Sequence, residues 1–394
     1  MAGEAEARLR VAYLDHVARL SGGELALLRT LPALAAHVDP VVILAEQGPL
    51  VASLERVGIE VRILPLDGAV REARKGTIGR GGVTVAQAWQ FGSYCLRLAR
   101  LLRQLDVDIV HTNSLKADLY GGIAGRLIGV PVVWHVRDRI AVDYLPLAAV
   151  RIMRLGARLL PTAIIANSKT TLGTLPEGAH RAVLHSPIAT AGASTDPMRT
   201  RQGRRSSARP ATLTVGIVGR LTPWKGQDVF LKAFALAFKA TPVKGRIIGS
   251  AMFGEEAWET HLKELATSLG LDEQVVFTGF VEDMEQEYAR LDIAIHASTI
   301  PEPFGQVVLE AMAAGVPVIA ADEGGPAEVI VSGVDGILVS PRDEIALAQA
   351  MNELATDPTG RDRLARLGKI TVERYSPERA AEGILKVYRA VLPS

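Results

Sequence analysis

Residues 219–226 place two cations at a turn that comes just before a helix. Their sequence, Gly-Arg-Leu-Thr-Pro-Trp-Lys-Gly, follows the apolar run Leu213–Val218 and precedes an amphipathic stretch. A turn of this kind sets free backbone N–H groups and the positive end of a helix dipole beside Arg220 and Lys225. Arg220 can bind two phosphate oxygens at once, and Lys225 can act as a point charge. The pattern predicts a diphosphate site, and it leaves open a solvated turn with two incidental basic residues.

A second segment of the same kind, residues 301–312, brings carboxylates to a strand-to-helix loop. It reads Pro-Glu-Pro-Phe-Gly-Gln-Val-Val-Leu-Glu-Ala-Met and follows the apolar run Ile293–His296. Glu302 lies in the loop, Gly305 lets the backbone approach a ligand closely, and Glu310 lies about two helical turns further on. A carboxylate suits paired sugar hydroxyls, because each oxygen accepts a hydrogen bond. The alternative is that Glu302 caps the helix and Glu310 is a solvated surface residue.

Weaker signals occur in the first half of the chain. Gly22 and Gly23 follow the first predicted strand, where their amides can reach an anion, although a plain tight turn has the same sequence. His111 and His296 end apolar runs and are predicted to be structural residues. The pair Asp106 and Asp108 resembles a metal clamp, but it immediately precedes a strand, so strand-capping carboxylates are the better interpretation. No metal site is predicted.

Apolar runs that predict strands alternate with helical stretches along the whole chain, which indicates an α/β fold with parallel sheets covered on both faces. Residues 191–211, rich in Ala, Gly, Ser, Thr, Arg and Pro, predict a linker. We therefore expect a domain at 1–190, a second at 212–376, and a final helix at 377–394 that can cross back to the first domain. Two doubly wound units facing a central cleft can share one ligand at the carboxyl ends of their sheets.

Composition places this chain among ordinary globular proteins, with 48% hydrophobic and 22% charged residues. The single cysteine, Cys95, excludes an intrachain disulfide. No apolar stretch reaches the ~20 residues of a spanning helix, and the first ten residues lack the apolar core of a signal peptide, so a cytoplasmic location is expected. Residues 1–195 carry a net charge of +6 and the remainder −5. This asymmetry is either ordinary scatter or a surface for an anionic acceptor or the inner membrane face.

The second half closely resembles the retaining glycosyltransferases of the glycogen synthase and phosphatidylinositol mannosyltransferase type (glycosyltransferase family 4), which have the GT-B fold of two Rossmann-like domains. The resemblance rests on five motifs in order: Gly219-Arg220-Leu221 with Lys225-Gly226, Gly279-Phe280-Val281, Glu302-Pro303-Phe304-Gly305, Glu310-Ala311-Met312-Ala313 and Gly324-Gly325-Pro326-Ala327-Glu328. The first half matches more loosely, through Ser21-Gly22-Gly23-Glu24, Asp108-Ile109-Val110-His111 and residues 131–138. The resemblance implies an acceptor-binding first domain and a second domain that binds a nucleotide sugar.

The resemblance also implies a role for each matching residue. The donor diphosphate would be held by Arg220, Lys225 and the amides of Gly22 and Gly23, and the nucleoside by Glu310 and the main chain near Val281. The donor sugar would be held by Glu302 and the amides of Phe304, Gly305, Gln306 and Val307. The catalytic residues would be Glu302 and His135. The nucleotide-diphosphate sugar is then a substrate, and no cofactor is expected. The implied activity is transfer of a sugar with retention and without metal.

The acceptor stays open between a small molecule and a lipid-linked one, and no nucleic-acid partner is predicted. The stretch Tyr144–Leu160 mixes apolar residues with three arginines, so it can rest on a membrane or form a core-facing helix with a solvated basic side. Two other functions remain alternatives. One is a nucleotide-sugar epimerase of the same architecture, and the other is a non-catalytic nucleotide-sugar-binding regulatory protein.

Overall fold

The computed structural model describes residues 8–66, 85–188, 212–252 and 254–392. The predicted linker, residues 191–211, lies outside these ranges. The chain divides into two compact units. The first comprises Met1–Pro187 with Pro377–Ser394, and the second comprises Ile188–Ser376.

The first unit is built on a seven-stranded parallel sheet of order β3-β2-β1-β4-β5-β6-β7. Its strands are β1 (Leu9–Asp15), β2 (Val38–Leu44), β3 (Glu60–Ile63), β4 (Ile109–Thr112), β5 (Val132–Val136), β6 (Ala163–Ala166) and β7 (His180–Val183). Its helices are α1 (Gly22–Leu34), α2 (Pro49–Arg56), α3 (Val85–Gln104), α4 (Leu115–Ile128), α5 (Leu147–Leu159) and α6 (Lys169–Leu172), together with the last helix of the chain, α14 (Pro377–Val391).

Both faces of this sheet are covered, which explains why most residues of its central strands are apolar. Alternate residues of β1 point to opposite cores, because side chains alternate along a strand. Val11 and Tyr13 join one core with residues of α1 and α14, whereas Ala12 and Leu14 join the other with residues of α3 and α4. The strand order reverses between β1 and β4, and at such a switch point the loops after both strands open a crevice where polar side chains can gather.

The second unit repeats this plan with a six-stranded parallel sheet of order β10-β9-β8-β11-β12-β13. Its strands are β8 (Thr214–Val218), β9 (Lys244–Ile248), β10 (Val275–Gly279), β11 (Ile293–His296), β12 (Val318–Ala321) and β13 (Ile337–Val339). Its helices are α7 (Gln227–Phe238), α8 (Glu256–Ser268), α9 (Met284–Ala289), α10 (Gln306–Ala313), α11 (Gly325–Val329), α12 (Glu344–Thr356) and α13 (Pro358–Val372). Short 3₁₀ turns lie at Pro223–Lys225 and Glu373–Tyr375. The switch point falls between β8 and β11, so the loops after these strands lie side by side.

Candidate active site

The centre of the second unit's site is an ion pair between Lys225 and Glu302. The Lys225 ammonium Nζ lies 2.6 Å from Glu302 Oε1, and the two side chains are only 13% and 11% exposed. Lys225 ends the 3₁₀ turn that follows β8, and Glu302 stands in the loop between β11 and α10. The two segments that the sequence singled out separately therefore meet at the switch point of one sheet.

Glu302 does not cap α10, whose N-cap is Gly305 without a side-chain cap bond. Its second oxygen, Oε2, lies 2.6 Å from His296 Nε2 and accepts a hydrogen bond of 2.9 Å from Ser298 Oγ. Burial by itself raises the pKa of Glu302, but Lys225 and His296 outweigh it and hold that pKa well below its ordinary value. The carboxylate is therefore ionised and fixed from three sides.

Two glycines allow the backbone to make this arrangement. Gly226 ends the 3₁₀ turn with φ 70°, and a Cβ at this position would lie 1.9 Å from the carbonyl oxygen of Ala297. Gly305 has φ 81°, and a Cβ there would lie 2.7 Å from Pro326 Cγ. Both positions combine a left-handed backbone with a close approach, so they require glycine. Without them the two loops could not come together.

Arg220 belongs to a neighbouring polar group rather than to the Lys225–Glu302 pair. Its Nε lies 3.4 Å from Glu255 Oε2, and the hydroxyl of Thr222 donates to Glu255 Oε1 at 2.6 Å. The main chain of Arg220 is held by Gln227, whose Nε2 donates to the Arg220 carbonyl at 2.9 Å. The side chain of Arg220 is 32% exposed, which leaves it accessible to an anion in solution.

The residues predicted for the nucleoside and the donor sugar lie on α10 or just before it, except Val281, which follows β10. Glu310 is half-buried, and its Oε2 accepts a hydrogen bond of 3.2 Å from the Tyr288 hydroxyl. The Phe304 side chain is buried against Tyr375 with ring centroids 6.1 Å apart, so it is a core residue and offers a ligand only its backbone. Gln306 and Val307 open α10, and the first N–H groups of a helix have no intrahelical acceptor. Val281 is partly buried and packs on the core beneath the same helix.

In the first unit, His135 lies at the carboxyl end of β5 and is only 4% exposed. Its Nδ1 lies 3.1 Å from His111 Nε2 and 3.5 Å from Arg137 Nη2. Burial and then Arg137 hold the pKa of His135 well below its ordinary value, so the ring is neutral. Burial also lowers the pKa of Arg137 to about 10, and its guanidinium donates from Nε to Asn113 Oδ1 at 2.8 Å.

Gly22 and Gly23 begin α1 after the N-cap Ser21, which makes no side-chain cap bond. A Cβ at Gly23 would lie 3.0 Å from Arg137 Cδ, so a side chain there would crowd the arginine. Asn113 joins the two sides of this group, because its Nδ2 donates to Asp15 Oδ2 at 2.7 Å and to the Gly23 carbonyl at 3.3 Å. The glycine turn, His135 and Arg137 therefore share one edge of the first sheet.

The sequence motifs do not include several residues that contact these sites. His296 and Ser298 touch Glu302 directly, and the signal that could have found them is their position at the end of β11, opposite the Lys225 turn. Asp108 acts as predicted for a strand-capping carboxylate, because its Oδ2 accepts from the backbone N–H of Arg10 at 2.7 Å. Among the described residues, no three His, Cys, Asp or Glu side chains are grouped so that they could hold a metal ion.

Two doubly wound domains, each with charged side chains gathered at the carboxyl ends of its central strands, define a class of nucleotide-binding α/β proteins. Residues 199–374 match the family model for "Glycosyl transferases group 1", and residues 21–175 match the "Glycosyl transferase 4-like domain". The D-inositol 3-phosphate glycosyltransferase of Rhodococcus erythropolis is 31% identical over 299 residues, which are 72% of this chain and 67% of that protein. A protein of the same description from Salinispora arenicola is 27% identical over 96% of this chain and 86% of its own length.

Solved structures agree with these matches. The Anabaena protein Alr3699/HepE, crystallised with UDP and glucose, is 26% identical, and the similarity covers 97% of this chain and 100% of that one with a TM-score of 0.82. Sucrose-phosphate synthase of Thermosynechococcus elongatus shares the fold, with 18% identity and a TM-score of 0.76. The chain belongs to the group 1 glycosyltransferases of family 4, which have the GT-B fold.

Proposed function

We propose that this glycosyltransferase takes its sugar from a nucleoside-diphosphate donor. The observation that carries the proposal is the buried Lys225–Glu302 pair, which sets an ammonium group 2.6 Å from a carboxylate that can accept hydrogen bonds from sugar hydroxyls. The Anabaena relative, whose structures hold UDP, glucose and UDP-glucose, supports the same donor class.

The diphosphate is proposed to meet Lys225, Arg220 and the amides that open α10. Lys225 is neutralised by Glu302 in the structure, so a phosphate would share the ammonium with the carboxylate rather than find it unpaired. Arg220 would turn from Glu255 and supply a second, bidentate contact. The amides of Gly22 and Gly23 at the start of α1 are proposed to add further donors.

The donor sugar is proposed to lie against Glu302 and the amides of residues 304–307. Glu302 is held ionised by Lys225 and by His296, so it keeps a negative charge near a centre where positive charge develops as the glycosidic bond breaks. The nucleoside would lie further along α10, with the ribose hydroxyls at Glu310 and the base at the main chain near Val281. Tyr288 fixes the carboxylate of Glu310 for that task.

We propose that transfer proceeds with retention and without a metal ion. The leaving diphosphate oxygen would accept the proton of the acceptor hydroxyl, and the bond to the sugar would form on the face from which the diphosphate leaves. Lys225 and Arg220 would neutralise the charge that develops on this leaving group. His135, a neutral buried ring, is proposed as a hydrogen-bond donor to the sugar.

Two alternatives make different use of the same residues. A nucleotide-sugar epimerase of this architecture would turn over the donor without an acceptor and form no glycoside. A regulatory protein that binds a nucleotide sugar without reacting would show neither turnover nor hydrolysis. The family membership and the intact set of Lys225, Arg220, Glu302 and Glu310 favour the transferase.

The acceptor is proposed to be a small molecule or a lipid-linked one, and α5 favours contact with an anionic membrane surface from the cytoplasmic side. Its inner face packs on the core, while its outer face exposes Ile152, Leu155 and Leu159 beside Arg151 and Arg158, without any acidic residue in the helix. Apolar side chains flanked by cations suit an anionic lipid interface. None of the helices within the described ranges is long and apolar enough to cross a membrane.

Co-sedimentation with lipid vesicles tests this surface. The chain should bind vesicles that contain phosphatidylglycerol and not pure phosphatidylcholine, and Leu155→Glu should weaken binding. A matched control is Leu236→Glu, a leucine on α7 that is 63% exposed, similar to the 57% of Leu155. Equal binding by both variants, or no preference for the anionic lipid, would remove α5 from the proposal.

A thermal-shift screen across nucleotide sugars tests the donor class directly. A ligand that binds only the folded chain raises its melting temperature, by an amount that grows with concentration over Kd. We expect one nucleoside diphosphate, and its sugar conjugate, to raise the Tm of the wild-type chain and to have less effect on Lys225→Met. A chain that no nucleotide stabilises would leave the proposed donor site without support.

A further inference from the structure

A chain of buried polar side chains runs from the last helix of the protein to His135. The hydroxyls of Tyr13 and Tyr388 lie 2.9 Å apart, and the Tyr388 hydroxyl lies 2.7 Å from His111 Nδ1. His111 Nε2 in turn lies 3.1 Å from His135 Nδ1, which Arg137 Nη2 approaches at 3.5 Å. All four aromatic side chains are at most 4% exposed, so water does not offer them alternative partners.

The contact with Arg137 shows in which direction the hydrogen bonds between these side chains run. A guanidinium has only N–H donors, so the ring nitrogen that faces it, Nδ1 of His135, must accept. A neutral imidazole carries one proton, and that of His135 therefore lies on Nε2. The second neighbour of His135 Nδ1 is His111 Nε2, which must donate for the same reason.

The same reasoning fixes the hydrogen bonds that Tyr388 and Tyr13 make. Because His111 uses its proton at Nε2, its Nδ1 is an acceptor, and the Tyr388 hydroxyl must donate to it. Tyr388 can then only accept from Tyr13, whose hydroxyl is the terminal donor. The opposite direction would bring the Nδ1–H of His135 against an N–H of Arg137, with two donors facing each other.

The rings are neutral and the hydroxyls are protonated, as this pattern requires. Burial and then Arg137 lower the pKa of His111 to about 3, and they hold the pKa of His135 well below its ordinary value. Burial holds the pKa of both Tyr13 and Tyr388 well above the ordinary value of a tyrosine. At the other end of the chain, His135 Nε2 is buried and has no hydrogen-bond partner among the described residues.

We propose that Tyr388 and His111 are positioning residues that fix His135 in its Nε2–H tautomer and present this N–H as a ready donor to a ligand oxygen. The role of that donor in sugar transfer rests on the proposed function, whereas the tautomer itself is a property of the free protein. The final helix thereby contributes to the site through Tyr388, beyond its packing on α1.

Nitrogen-15 NMR of the histidine rings tests the tautomers of His111 and His135 in the protein without ligand. Two-bond proton–nitrogen spectra distinguish a protonated ring nitrogen from a bare one, and spectra of His111→Asn and His135→Asn assign the two rings. We expect a protonated Nε2 and a bare Nδ1 in both rings at neutral pH. A proton on Nδ1 of His135, or a doubly protonated ring, would overturn the proposal.

Tyr388→Phe tests whether the hydrogen bond from Tyr388 to His111 positions His135. It removes the donor to His111 Nδ1, so the His111 ring should no longer be confined to one tautomer. kcat should fall by about fivefold with KM little changed, since one net hydrogen bond is worth about 1 kcal/mol. Tyr94→Phe removes another buried hydroxyl, which bonds to the Leu64 carbonyl at 3.2 Å, and should keep both tautomers and activity. Unchanged tautomers and kcat in Tyr388→Phe would contradict a positioning role.

Tyr13→Phe supplies a second test if Tyr388→Phe does not fold. In the proposed direction the Tyr388 hydroxyl still donates to His111 Nδ1 in this variant, so both histidine tautomers should be retained. Loss of the His111 tautomer would mean that Tyr388 donates to Tyr13, against the proposal. Should no donor stabilise the wild-type chain, the proposed function would fail, and the NMR outcome would still decide the tautomer.

Discussion

The Lys225 ammonium lies 2.6 Å from the Glu302 carboxylate, and both side chains are largely buried. The pair joins the turn after β8 to the loop after β11, so each residue compensates the charge of the other before any ligand arrives. Removal of one partner from a buried pair leaves an uncompensated charge, and this costs more than the pair itself contributes.

A mutant cycle on the pair should therefore show strong coupling. Lys225→Met should lower the free energy of unfolding by about 3 kcal/mol, the lower end of the usual range because His296 and Ser298 still contact Glu302. Adding Glu302→Gln should recover most of this loss without restoring activity. Lys263→Met, in a pair whose lysine is 55% exposed, is the control and should change stability by less than about 1 kcal/mol. Additive effects in urea unfolding would contradict the coupling.

The two glutamates should differ in their kinetic signatures. Glu310 is proposed to touch only the ribose, so Glu310→Ala should raise the donor KM with a modest change in kcat. Glu302 is proposed to touch the transferred sugar, so Glu302→Ala should cost about 10²-fold or more in kcat. Both variants must retain the far-ultraviolet circular dichroism of the wild type. A near-normal kcat for Glu302→Ala at saturating donor would show that its assigned role is wrong.

Asp118 should make the stability depend on pH in a direction opposite to that of most carboxylates. Burial raises its pKa to about 8, while its Oδ1 accepts from Thr112 Oγ1 at 2.5 Å. When the pKa of a carboxyl group is higher in the folded than in the unfolded chain, its protonated form stabilises the folded state. This stabilisation is complete below the pKa of the unfolded chain and is lost as pH rises through the pKa of the folded chain. Asp118→Asn, which does not titrate, should gain about 3 kcal/mol relative to wild type between pH 5 and 7. A pH-independent difference in urea unfolding would contradict the shift.

Activity should survive chelation. Lys225, Arg220 and the first amides of α10 already supply positive charge to the proposed diphosphate site, so a metal ion has little left to add. We expect kcat/KM in excess EDTA to stay within roughly twofold of its starting value. Complete loss of activity, restored by Mn²⁺ or Mg²⁺, would reverse this part of the proposal.

Much of the fold was predictable because parallel sheets covered on both faces have strands that are apolar throughout. The run Ile293–His296 matches β11 residue for residue, and the run Leu213–Val218 begins one residue before β8. The edge strand β7, His180–Val183, was missed, because its one exposed and three half-buried residues resemble a loop. No pattern in the sequence indicates that Asp118, in the first turn of α4, is fully buried.

The site was predictable as a set of motifs, but its pairings were not. The spacing of residues 219–226 and 301–312 marked both loops, and strand order then brought Lys225 against Glu302. Sequence spacing carries no information on which carboxylate a cation meets, so the partnership of Arg220 with Glu255 went unforeseen. His296 was predicted to be structural, and it also contacts Glu302, which lies six residues further along in the loop after β11.

Hydrolysis of the donor by water tests the central claim most directly, because it needs no knowledge of the acceptor. The wild-type chain should release nucleoside diphosphate slowly from at least one nucleotide sugar, with UDP-glucose the first to try given the Anabaena relative. Proton NMR should show that the sugar first released keeps the anomeric configuration of the donor, and Glu302→Ala should abolish the release. An inverted first product would contradict retention, and no release from any nucleotide sugar would contradict the transferase account.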